Sequence, residues 1–535
     1  MTQQKISRRA FITTSAMAGL AMALDWGKIN ALAATIQSKK ELPVIVIGAG
    51  IGGLCSGALL AKRGFPVTVV EQHDIPGGYA TTFDRAAGKF TFEVSLHRMS
   101  ADDELRHLLK ELGVLDKIEF VKIPNTSRII TPSQDVRVAD DLKQRVKGLI
   151  EKFPNEKKGI ESYLAEMKAV VDELELLKKK GGGRNMASLY PKLWKIKDQT
   201  VADFMDEHIK EPEIKESLAV GSIGTFGLPP SKLSAFMFIM ARASEQYYIK
   251  RRSQDLSNAL AESIEESGGE IIYENRIEKI TLKDQAVSGV VTSEGKHLPA
   301  KIVISNANAI TTLNNMLPSK TLIPDYLRRI NGYGTSLSTF VIWLGLNREI
   351  HESVKDGHIV ISPDRGIEAD YLSCLKGEVE KLNVGVTIYD NYYKGYSNPG
   401  TSTVTIITGS GFQPWLKFES DYKAGRKADY YKEKERWTRI LMKRVEEKAI
   451  PGLSSMVEVM EAATPLTNWR YTLNPGGSIY GSPCSVDNTF MDRIKDRTPV
   501  KGLYLASAWG NAGPGYAPGL KGGERTFEQV LKDLA

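Results

Sequence analysis

Two short β-branched runs flank a glycine-rich, helix-forming stretch near the start of the chain. The first run, Val44-Ile45-Val46-Ile47, is continuous and apolar, which is typical of a parallel strand buried on both faces. Small and apolar residues then recur at helical spacing until Gly64, and the second run, Val67-Thr68-Val69-Val70, leads into Glu71. The pattern predicts a strand–turn–helix–strand unit that opens a parallel α/β domain.

The turn in this unit has the spacing of a phosphate-binding loop. Gly48, Gly50 and Gly53 follow the first strand as G-x-G-x-x-G. The first two glycines permit a tight turn and a close approach of pyrophosphate, the third permits close helix–strand packing, and the helix N-terminus offers free N–H groups. Glu71 is placed to accept hydrogen bonds from a ribose. We predict a Rossmann-type dinucleotide-binding domain, and the loop alone does not distinguish FAD from NAD.

A second pair of glycines follows Glu71 in the stretch IPGGYATTF. Gly77 and Gly78 offer further bare backbone along which a longer dinucleotide can extend. No second G-x-G-x-x-G unit occurs downstream. A single unit indicates one tightly held dinucleotide rather than a flavin with a separately docked nicotinamide.

Helical and extended patterns alternate along the rest of the chain. LKQRVKGLIEKF and IESYLAEMKAVVDELELLKKK have helical spacing, whereas LSTFVIWLGL, NVGVTIYD and STVTIIT predict strands that precede a long charged helix at 425–448. Residues 185–198 combine apolar and aromatic side chains with lysines. This segment either lies on an anionic membrane surface or packs its apolar side inward, and the sequence leaves both open.

The composition limits the chemistry. The net charge of +7 arises from 71 basic and 64 acidic residues that are interspersed, so we predict no nucleic-acid partner. The histidines lack metal-ligand spacing, and we predict no metal site. Cys55 falls inside the first predicted helix, which leaves a Cys374–Cys484 disulfide as an open guess. No later stretch is long and apolar enough for a membrane helix.

The N-terminal residues have the pattern of an export signal. Arg8 and Arg9 precede a short, weakly apolar run from Ala10 to Leu24, and Ala31-Leu32-Ala33 has the small residues of a cleavage site. We predict a twin-arginine signal over 1–33 and a periplasmic or exported protein. A fortuitous arginine pair is the alternative.

The segment from Val44 to His97 resembles the FAD-binding opening of the family of phytoene desaturases, carotenoid isomerases and retinol saturases. The resemblance continues in order along nearly all of the remaining chain. The segments that carry it are GLPPSKLSAFMF (227–238), SQDLSNALAESIEESGGEIIYENRIEKI (253–280), AKIVISNANAITT (300–312), AATPLTNWRYTLNPGGSIYG (462–481) and GLYLASAWGNAGPGYAPGLKGGERTFEQVL (502–531).

The resemblance implies an α/β fold with a Rossmann-type FAD-binding domain, glutathione reductase-like and discontinuous in sequence, and with an inserted α+β substrate domain and a helical cap. The FAD-binding parts are expected at 42–100, 247–310 and 471–535, the helical cap at 101–246 and the substrate domain at 311–470. The expected FAD contacts are Gly48, Gly50, Ile51, Gly52, Gly53, Glu71, Gln72, Gly77, Gly78, Tyr79, Ile277, Asn306, Trp509, Tyr516, Gly519 and Leu520.

The resemblance gives some of these contacts a particular place. Ile277 matches the position at which the family presents backbone to the adenine. Residues 503–506 predict a buried strand, and the helix that begins at about Gly519 then directs its N-terminus to the flavin. Trp509 and Tyr516 are candidates beside the isoalloxazine ring, with ordinary core packing as the alternative.

Candidate catalytic residues come from two segments. In FEVSLHRMS, His97 matches a family position that faces the flavin pocket, and with Glu93 it forms a candidate pair for moving one proton, with a structural histidine as the alternative. YYIKRRSQDL contributes Tyr248 as a further candidate, together with Arg251 and Arg252, which replace two glycines common in the family. Two guanidinium groups there predict a substrate with an anionic end, with surface ion pairs as the alternative.

The resemblance implies an FAD-dependent oxidoreductase that saturates, desaturates or isomerises carbon–carbon double bonds of a carotenoid-like, retinoid-like or other unsaturated lipid. An amine oxidase-like flavoenzyme and a non-catalytic, flavin-loaded carrier are the alternatives. Twin-arginine export carries folded proteins, so a flavoprotein assembled in the cytoplasm suits that route. Because an exported enzyme is not expected to meet NADPH, a membrane quinone or a periplasmic electron carrier is the expected redox partner.

Overall fold

The computed structural model describes residues 25–123, 126–139, 142–182, 185–242, 245–318, 323–363, 365–489, 493–511 and 513–535. Arg8, Arg9 and the apolar run of the predicted export signal lie outside the described residues. The strands are β1 (Val44–Ile47), β2 (Val67–Val70), β3 (Thr82–Arg85), β4 (Phe90–Glu93), β5 (Met99–Ser100), β6 (Phe120–Lys122), β7 (Thr126–Ile130), β8 (Asp135–Ala139), β9 (Gln246–Ile249), β10 (Glu270–Ile272), β11 (Ile277–Lys283), β12 (Ala286–Thr292), β13 (His297–Pro299), β14 (Ile302–Ser305), β15 (Ser338–Leu346), β16 (His358–Ile361), β17 (Val384–Ile388), β18 (Ser402–Ser410), β19 (Val457–Ala463) and β20 (Leu503–Leu505).

The α-helices of the same ranges are α1 (Trp26–Thr35), α2 (Ile51–Ala61), α3 (Asp103–Glu111), α4 (Leu142–Lys152), α5 (Lys157–Lys180), α6 (Met186–Leu189), α7 (Pro191–Ile196), α8 (Val201–Asp206), α9 (Pro212–Ala219), α10 (Ser222–Phe226), α11 (Ala235–Arg242), α12 (Ser253–Glu266), α13 (Ala309–Thr311), α14 (Pro324–Gly332), α15 (Ile367–Lys376), α16 (Gln413–Leu416), α17 (Glu419–Lys423), α18 (Ala428–Lys448), α19 (Leu453–Met456), α20 (Pro465–Thr472) and α21 (Tyr516–Leu534).

A parallel sheet with the strand order β10-β2-β1-β14-β20 forms the nucleotide-binding half of the molecule. Val46 of β1 lies opposite Val69 of β2 and Ile304 of β14. On one face of the sheet, Val46 packs into a core with α2, α12 and α21, and on the other face Ile47 packs against β11 and β12. Burial on both faces explains the uninterrupted apolar run of β1 and confirms the predicted Rossmann-type fold.

A second, mixed sheet has the order β19-β15-β18-β17-β16-β7-β8. Every residue of β15 is buried, because α15 and α18 cover one face and Phe90 and Phe92 of β4 pack near Trp343 on the other. The predicted strands of NVGVTIYD and STVTIIT are β17 and β18. The region expected as a helical cap also supplies β7 and β8, and β7 pairs in parallel with β16. These short strands contain arginine and aspartate, so their periodicity did not mark them as sheet.

Helices α4 and α6 to α11 pack with α5 in a separate helical cluster. The buried residues of α5 recur every three or four positions, from Ile160 to Leu177, which confirms the predicted helical spacing. In the segment 185–198, Tyr190, Leu193 and Ile196 are buried in this cluster, so most of its apolar side packs inward. Leu189 is 57% exposed. Among the helices described here, none combines the length and the apolar character that a bilayer crossing requires.

Helix α1 packs against the back of the nucleotide-binding half. The Trp26 ring stacks 6.3 Å from Phe527 of α21, and the Arg63 guanidinium lies 5.2 Å from the same indole ring. Ile29 and Ala33 are buried beside them. The predicted cleavage triplet at 31–33 therefore lies inside a packed helix, and cleavage there would remove Trp26 from the core.

All three cysteines are buried and carry free thiols. Cys55 lies inside α2, as predicted. Cys374 belongs to the core between α15 and the mixed sheet, whereas Cys484 belongs to the helical cluster around α5. The guessed Cys374–Cys484 bridge is therefore wrong.

Candidate flavin site and its neighbouring tyrosine cluster

The glycine-rich loop after β1 fills a space that leaves no room for side chains. A Cβ atom on Gly50 would lie 2.2 Å from Oδ1 of Asn306, and one on Gly52 would lie 2.1 Å from the carbonyl oxygen of Ala506. Asn306 Nδ2 donates to that same oxygen over 2.5 Å. Gly53 similarly approaches the carbonyl of Gly48. The loop is therefore held against the ends of β14 and β20 with its backbone bare, at the N-terminus of α2.

The second glycine pair lies directly beside the first loop. The N–H of Gly77 donates to the carbonyl of Ala49 over 2.7 Å, and Gly50 and Gly77 form a parallel bridge. Gly77 has φ +126°, and a Cβ atom there would lie 2.3 Å from the Ala80 carbonyl oxygen, so this position requires glycine. Gly78 approaches Gly50 as well. The two loops together form one continuous strip of side-chain-free backbone.

The carboxylate of Glu71 closes one end of this strip. It is buried and accepts hydrogen bonds from the N–H of Ala49 at 2.6 Å and of His73 at 2.9 Å. The Glu71 carbonyl accepts from the N–H of Asn275, which brings the start of β11 at Ile277 to the same end of the sheet. Gln72 instead donates its side-chain amide to the carbonyl of Tyr471.

Helix α21 lies alongside α2, with both N-termini at the same end of the sheet. A Cβ on Gly519 would lie 3.1 Å from the Ile51 side chain, and the Leu520 carbonyl accepts the Cys55 thiol at 3.3 Å. The Tyr516 hydroxyl, at the start of α21, lies 3.0 Å from Ser95 Oγ. This arrangement directs a second set of free helical N–H groups toward the strip.

Two other predicted flavin contacts are held by hydrogen bonds beside α21. Trp509 is buried, and its indole N–H donates to Oδ1 of Asn474 at 3.3 Å, so it is also part of the core. The Tyr79 carbonyl accepts from Ser95 Oγ at 2.7 Å. Both residues flank the end of the site at which α21 begins.

The donor set fits FAD. Bare N–H groups of two glycine loops and a helix N-terminus suit the diphosphate, and a buried carboxylate at the end of β2 suits the ribose of the adenosine half. The backbone beside Ile277 would hold the adenine. The start of α21, with Tyr516 and Tyr79, would border the flavin end.

Glu93 is fully buried at the end of β4. Its carboxylate accepts from Ser253 through Oγ at 2.5 Å and the backbone N–H at 2.9 Å, and from the Tyr248 hydroxyl at 3.1 Å. Burial raises the pKa of Glu93, while these hydrogen bonds oppose the rise. Glu93 thus caps the N-terminus of α12 and anchors Tyr248.

His97 forms a separate pair. Its Nδ1 lies 2.9 Å from the hydroxyl of Tyr389. Burial, with a smaller contribution from Arg98, lowers the pKa of His97 to about 4, so the imidazole is neutral at pH 7. No hydrogen bond joins His97 to Glu93 in the described structure. The two side chains of the candidate proton-moving pair are therefore not in direct contact, and Tyr248 and Tyr389, with ring centroids 5.2 Å apart, lie between them.

The tyrosines between them belong to a cluster of which the sequence predicted only Tyr248 as a candidate. The tyrosine cluster consists of Tyr248, Tyr389, Tyr392, Tyr393 and Tyr396. Four of its members come from the short stretch YDNYYKGY, and that aromatic density was the available signal. Burial raises the pKa of Tyr248 and Tyr389, so their hydroxyl groups stay protonated.

The two predicted arginines point in different directions. Arg251 has a side chain 74% exposed and pairs with Asp255 at 2.6 Å on the surface of α12. Arg252 turns inward, where its guanidinium lies 4.1 Å from the Tyr396 ring centroid and donates to the Tyr396 carbonyl at 2.8 Å. Only Arg252 contacts the tyrosine cluster.

The chain matches the family model of flavin-containing amine oxidoreductases over residues 51–519 and belongs to that family. It is a flavoprotein oxidoreductase, and FAD is its cofactor, as predicted.

Individual relatives indicate which members of the family this chain resembles. The chain is 26% identical over 509 residues to all-trans-retinol 13,14-reductase of Danio rerio, covering 87% of this chain and 82% of that protein. It is 25% identical over 485 residues to chloroplastic prolycopene isomerase of Daucus carota, covering 87% and 76%. These relatives confirm the predicted family resemblance. An oxidoreductase structure from Methanosarcina mazei has the same fold, with a TM-score of 0.61 at 15% identity over 92% of this chain and 100% of that one.

Proposed function

We propose that this chain is an FAD-dependent oxidoreductase that changes the saturation or the geometry of carbon–carbon double bonds in an unsaturated, lipid-like molecule. The observation that carries the proposal is the composition of the region beside the flavin end. It consists of a half-buried, neutral histidine, a buried carboxyl group whose pKa is raised, and five tyrosines, of which Tyr393 is half-buried and the other four are buried. An environment that is mostly aromatic, with the Arg252 guanidinium at its edge, suits a conjugated substrate. The relatives named for retinol and prolycopene support the same class.

FAD, when bound, supplies the transfer of an electron pair to or from carbon. The chain's own residues hold and move a proton. Nδ1 of His97 is hydrogen-bonded to Tyr389, so Nε2 is the atom of this imidazole that would exchange a proton with the substrate. Glu93 is engaged by Ser253 and Tyr248, so we assign it the role of a positioning residue.

Export and the redox partner form a separate part of the proposal. The twin-arginine motif at Arg8 and Arg9 supports export of the folded flavoprotein. A membrane quinone or a small periplasmic electron carrier would then exchange electrons with it. The exposed Leu189, beside Lys180 at the end of α5, supports a peripheral contact with an anionic membrane. Cosedimentation with vesicles containing an anionic lipid tests the contact, and Leu189→Ser should weaken it.

The decisive experiment is a substrate screen of the purified, FAD-loaded protein. Conjugated polyenes, their alcohols and their acids are incubated without oxygen in the presence of an artificial electron donor or acceptor. The proposal expects products that differ by two hydrogen atoms or by double-bond geometry. Reaction with simple amines and release of hydrogen peroxide, without any change in the polyenes, would instead support amine oxidation.

A further inference from the structure

The backbone at Arg252 is in a conformation that only glycine adopts without strain. Arg252 joins β9 to α12 with φ +75° and ψ 175°. Arginine carries a Cβ atom that is crowded at this φ angle. Such a strained residue persists where its side chain has a function that a relaxed residue cannot supply. The strained backbone therefore indicates that the Arg252 guanidinium has a function.

The guanidinium is largely buried and sparsely bonded. One Nη2 hydrogen bond reaches the Tyr396 carbonyl, and the ring of the same tyrosine stacks on the group. Nε is buried without a partner. Within the described ranges, no carboxylate oxygen lies within ion-pair distance of Arg252, whereas neighbouring Arg251 is paired with Asp255. A buried N–H group of a cation that lacks a partner is costly unless something binds it.

A small surface cavity opens beside this guanidinium. It has a volume of about 80 Å³ and is bordered by the end of the β3–β4 turn, by the start of β4 and by Ser397 and Asn398. One water needs roughly 10–15 Å³ of comparable space, so the cavity has room for a small oxyanion.

The other polar groups around the cavity are already engaged. Lys89 pairs with Glu458 at 2.6 Å, and Asn398 donates to the Lys89 carbonyl. Ser397 donates to both oxygens of Asp390, which turns that carboxylate toward Ser397. Arg252 is thus the cation with hydrogen-bonding capacity left at this position.

We propose that Arg252 is the receptor of a small oxyanion, a carboxylate or a phosphate, in this cavity. A carboxylate would be held by the planar fork of the guanidinium. The oxyanion is either a free ion or the acid end of an unsaturated substrate, and both sources share the same chemistry. Binding of the free ion does not depend on the redox function proposed above.

The test compares thermal unfolding of the FAD-loaded protein in sodium acetate, sodium phosphate and sodium chloride at equal ionic strength. Wild type is expected to show a saturable rise in Tm of about 1–3 °C with acetate or phosphate but not with chloride. Arg252→Gly should lose this rise, and Arg251→Gly should keep it. Glycine suits φ +75°, so Arg252→Gly is expected to fold.

A second experiment distinguishes a free ion from the acid end of a substrate as the bound oxyanion. Binding of retinoic acid and of its methyl ester is followed by the polyene absorbance. About tenfold tighter binding of the acid, competition by acetate and loss of the preference in Arg252→Gly identify a substrate acid. Equal binding of acid and ester, with the acetate effect retained, identifies a free ion. If neither polyene binds but acetate still acts, the oxyanion site stands with a free ion as its ligand, and the substrate screen alone decides the redox proposal.

Two results would overturn the oxyanion site: no anion-dependent rise in wild type, or the same rise in Arg252→Gly as in wild type.

Discussion

The hydroxyl oxygen of Tyr389 lies 2.9 Å from Nδ1 of His97, and the two rings are parallel to within 7°. The same hydroxyl lies 3.2 Å from the Leu96 carbonyl, to which it is able to donate. When Tyr389 donates to Leu96, Nδ1 of His97 must carry the proton, and Nε2 is then a base. When Tyr389 donates to His97 instead, Nε2 carries the proton and is a hydrogen-bond donor. Tyr389 therefore selects the chemical role of His97.

His97→Gln should reduce turnover of a conjugated substrate by about 100-fold or more, because a general acid or base is removed. FAD content should stay unchanged. Tyr389→Phe should cause a smaller loss of roughly tenfold, since it removes only the hydrogen bond. His208→Gln is the matched control, because His208 also has its Nδ1 bonded to a hydroxyl, that of Ser162, in the helical region. Full turnover by His97→Gln would remove His97 from the mechanism.

The lowered pKa of His97 predicts a pH dependence of stability. The unfolded chain binds a proton near pH 6.5, whereas the folded chain binds one only near pH 4. The neutral, buried imidazole therefore costs stability as the pH falls from 6.5 to 4, by at most about 2 kcal/mol at pH 5. His97→Gln should lose less stability than wild type between pH 7.5 and pH 5 in denaturant titrations. An equal loss in both proteins would show that His97 is not buried in its neutral form.

Gly52→Ala should prevent assembly of the flavin-loaded protein. Its Cβ would lie 2.1 Å from a backbone oxygen, that of Ala506, which has no flexible end to move away. Gly57→Ala, in the same helix, is the control, because the atom nearest to its Cβ is the end of the Ile264 side chain at 3.3 Å. Flavin absorbance per polypeptide separates the two. A normally yellow Gly52→Ala protein would contradict the tight loop.

Glu71→Gln should weaken FAD binding by about 10- to 100-fold, because a charged acceptor for ribose hydroxyls becomes a neutral amide. The measurement is the fluorescence of FAD released on dilution. Glu270→Gln is the control, since Glu270 is an exposed residue on β10 of the same sheet. Equal FAD retention by both variants would place the ribose elsewhere.

Helix α1 should belong to the mature protein. Trp26→Ala should lower the free energy of unfolding by about 3 kcal/mol, as loss of a large buried ring does, whereas Lys28→Ala on the exposed face should have little effect. N-terminal sequencing of exported protein is expected to find a first residue that precedes Trp26. A mature chain that begins at Ala34 would contradict the packing of α1.

The sequence predicted the nucleotide-binding half well because its constraints are local. Gly50 and Gly77 must be glycine, and β1 must be apolar throughout, whatever else the chain does. The hydrogen-bond partners of Glu93 and His97 were not predictable, because spacing along the chain does not determine them. Ser253 and Tyr389, which bind these two residues, lie more than 150 positions downstream.

The orientations of the two arginine side chains could not be predicted from the sequence either. Arg251 and Arg252 are adjacent and chemically identical, and only the positive φ at Arg252 turns one of them toward Tyr396. Helix α1 was not predicted as part of the folded protein, because its small apolar residues fit both an export signal and a packed helix.

One anaerobic experiment tests the proposed flavin-dependent chemistry on polyenes most directly. The FAD-loaded protein is reduced by light with a sacrificial electron donor, mixed with a conjugated polyene, and followed by the absorbance of both chromophores. We expect the oxidised flavin to return as an equal amount of polyene loses one double bond, or, starting from oxidised flavin, the reverse exchange. Isomerisation should appear as a change in double-bond geometry that requires the flavin. No exchange or isomerisation with any polyene, together with reduction of the flavin by simple amines, would contradict the proposed chemistry.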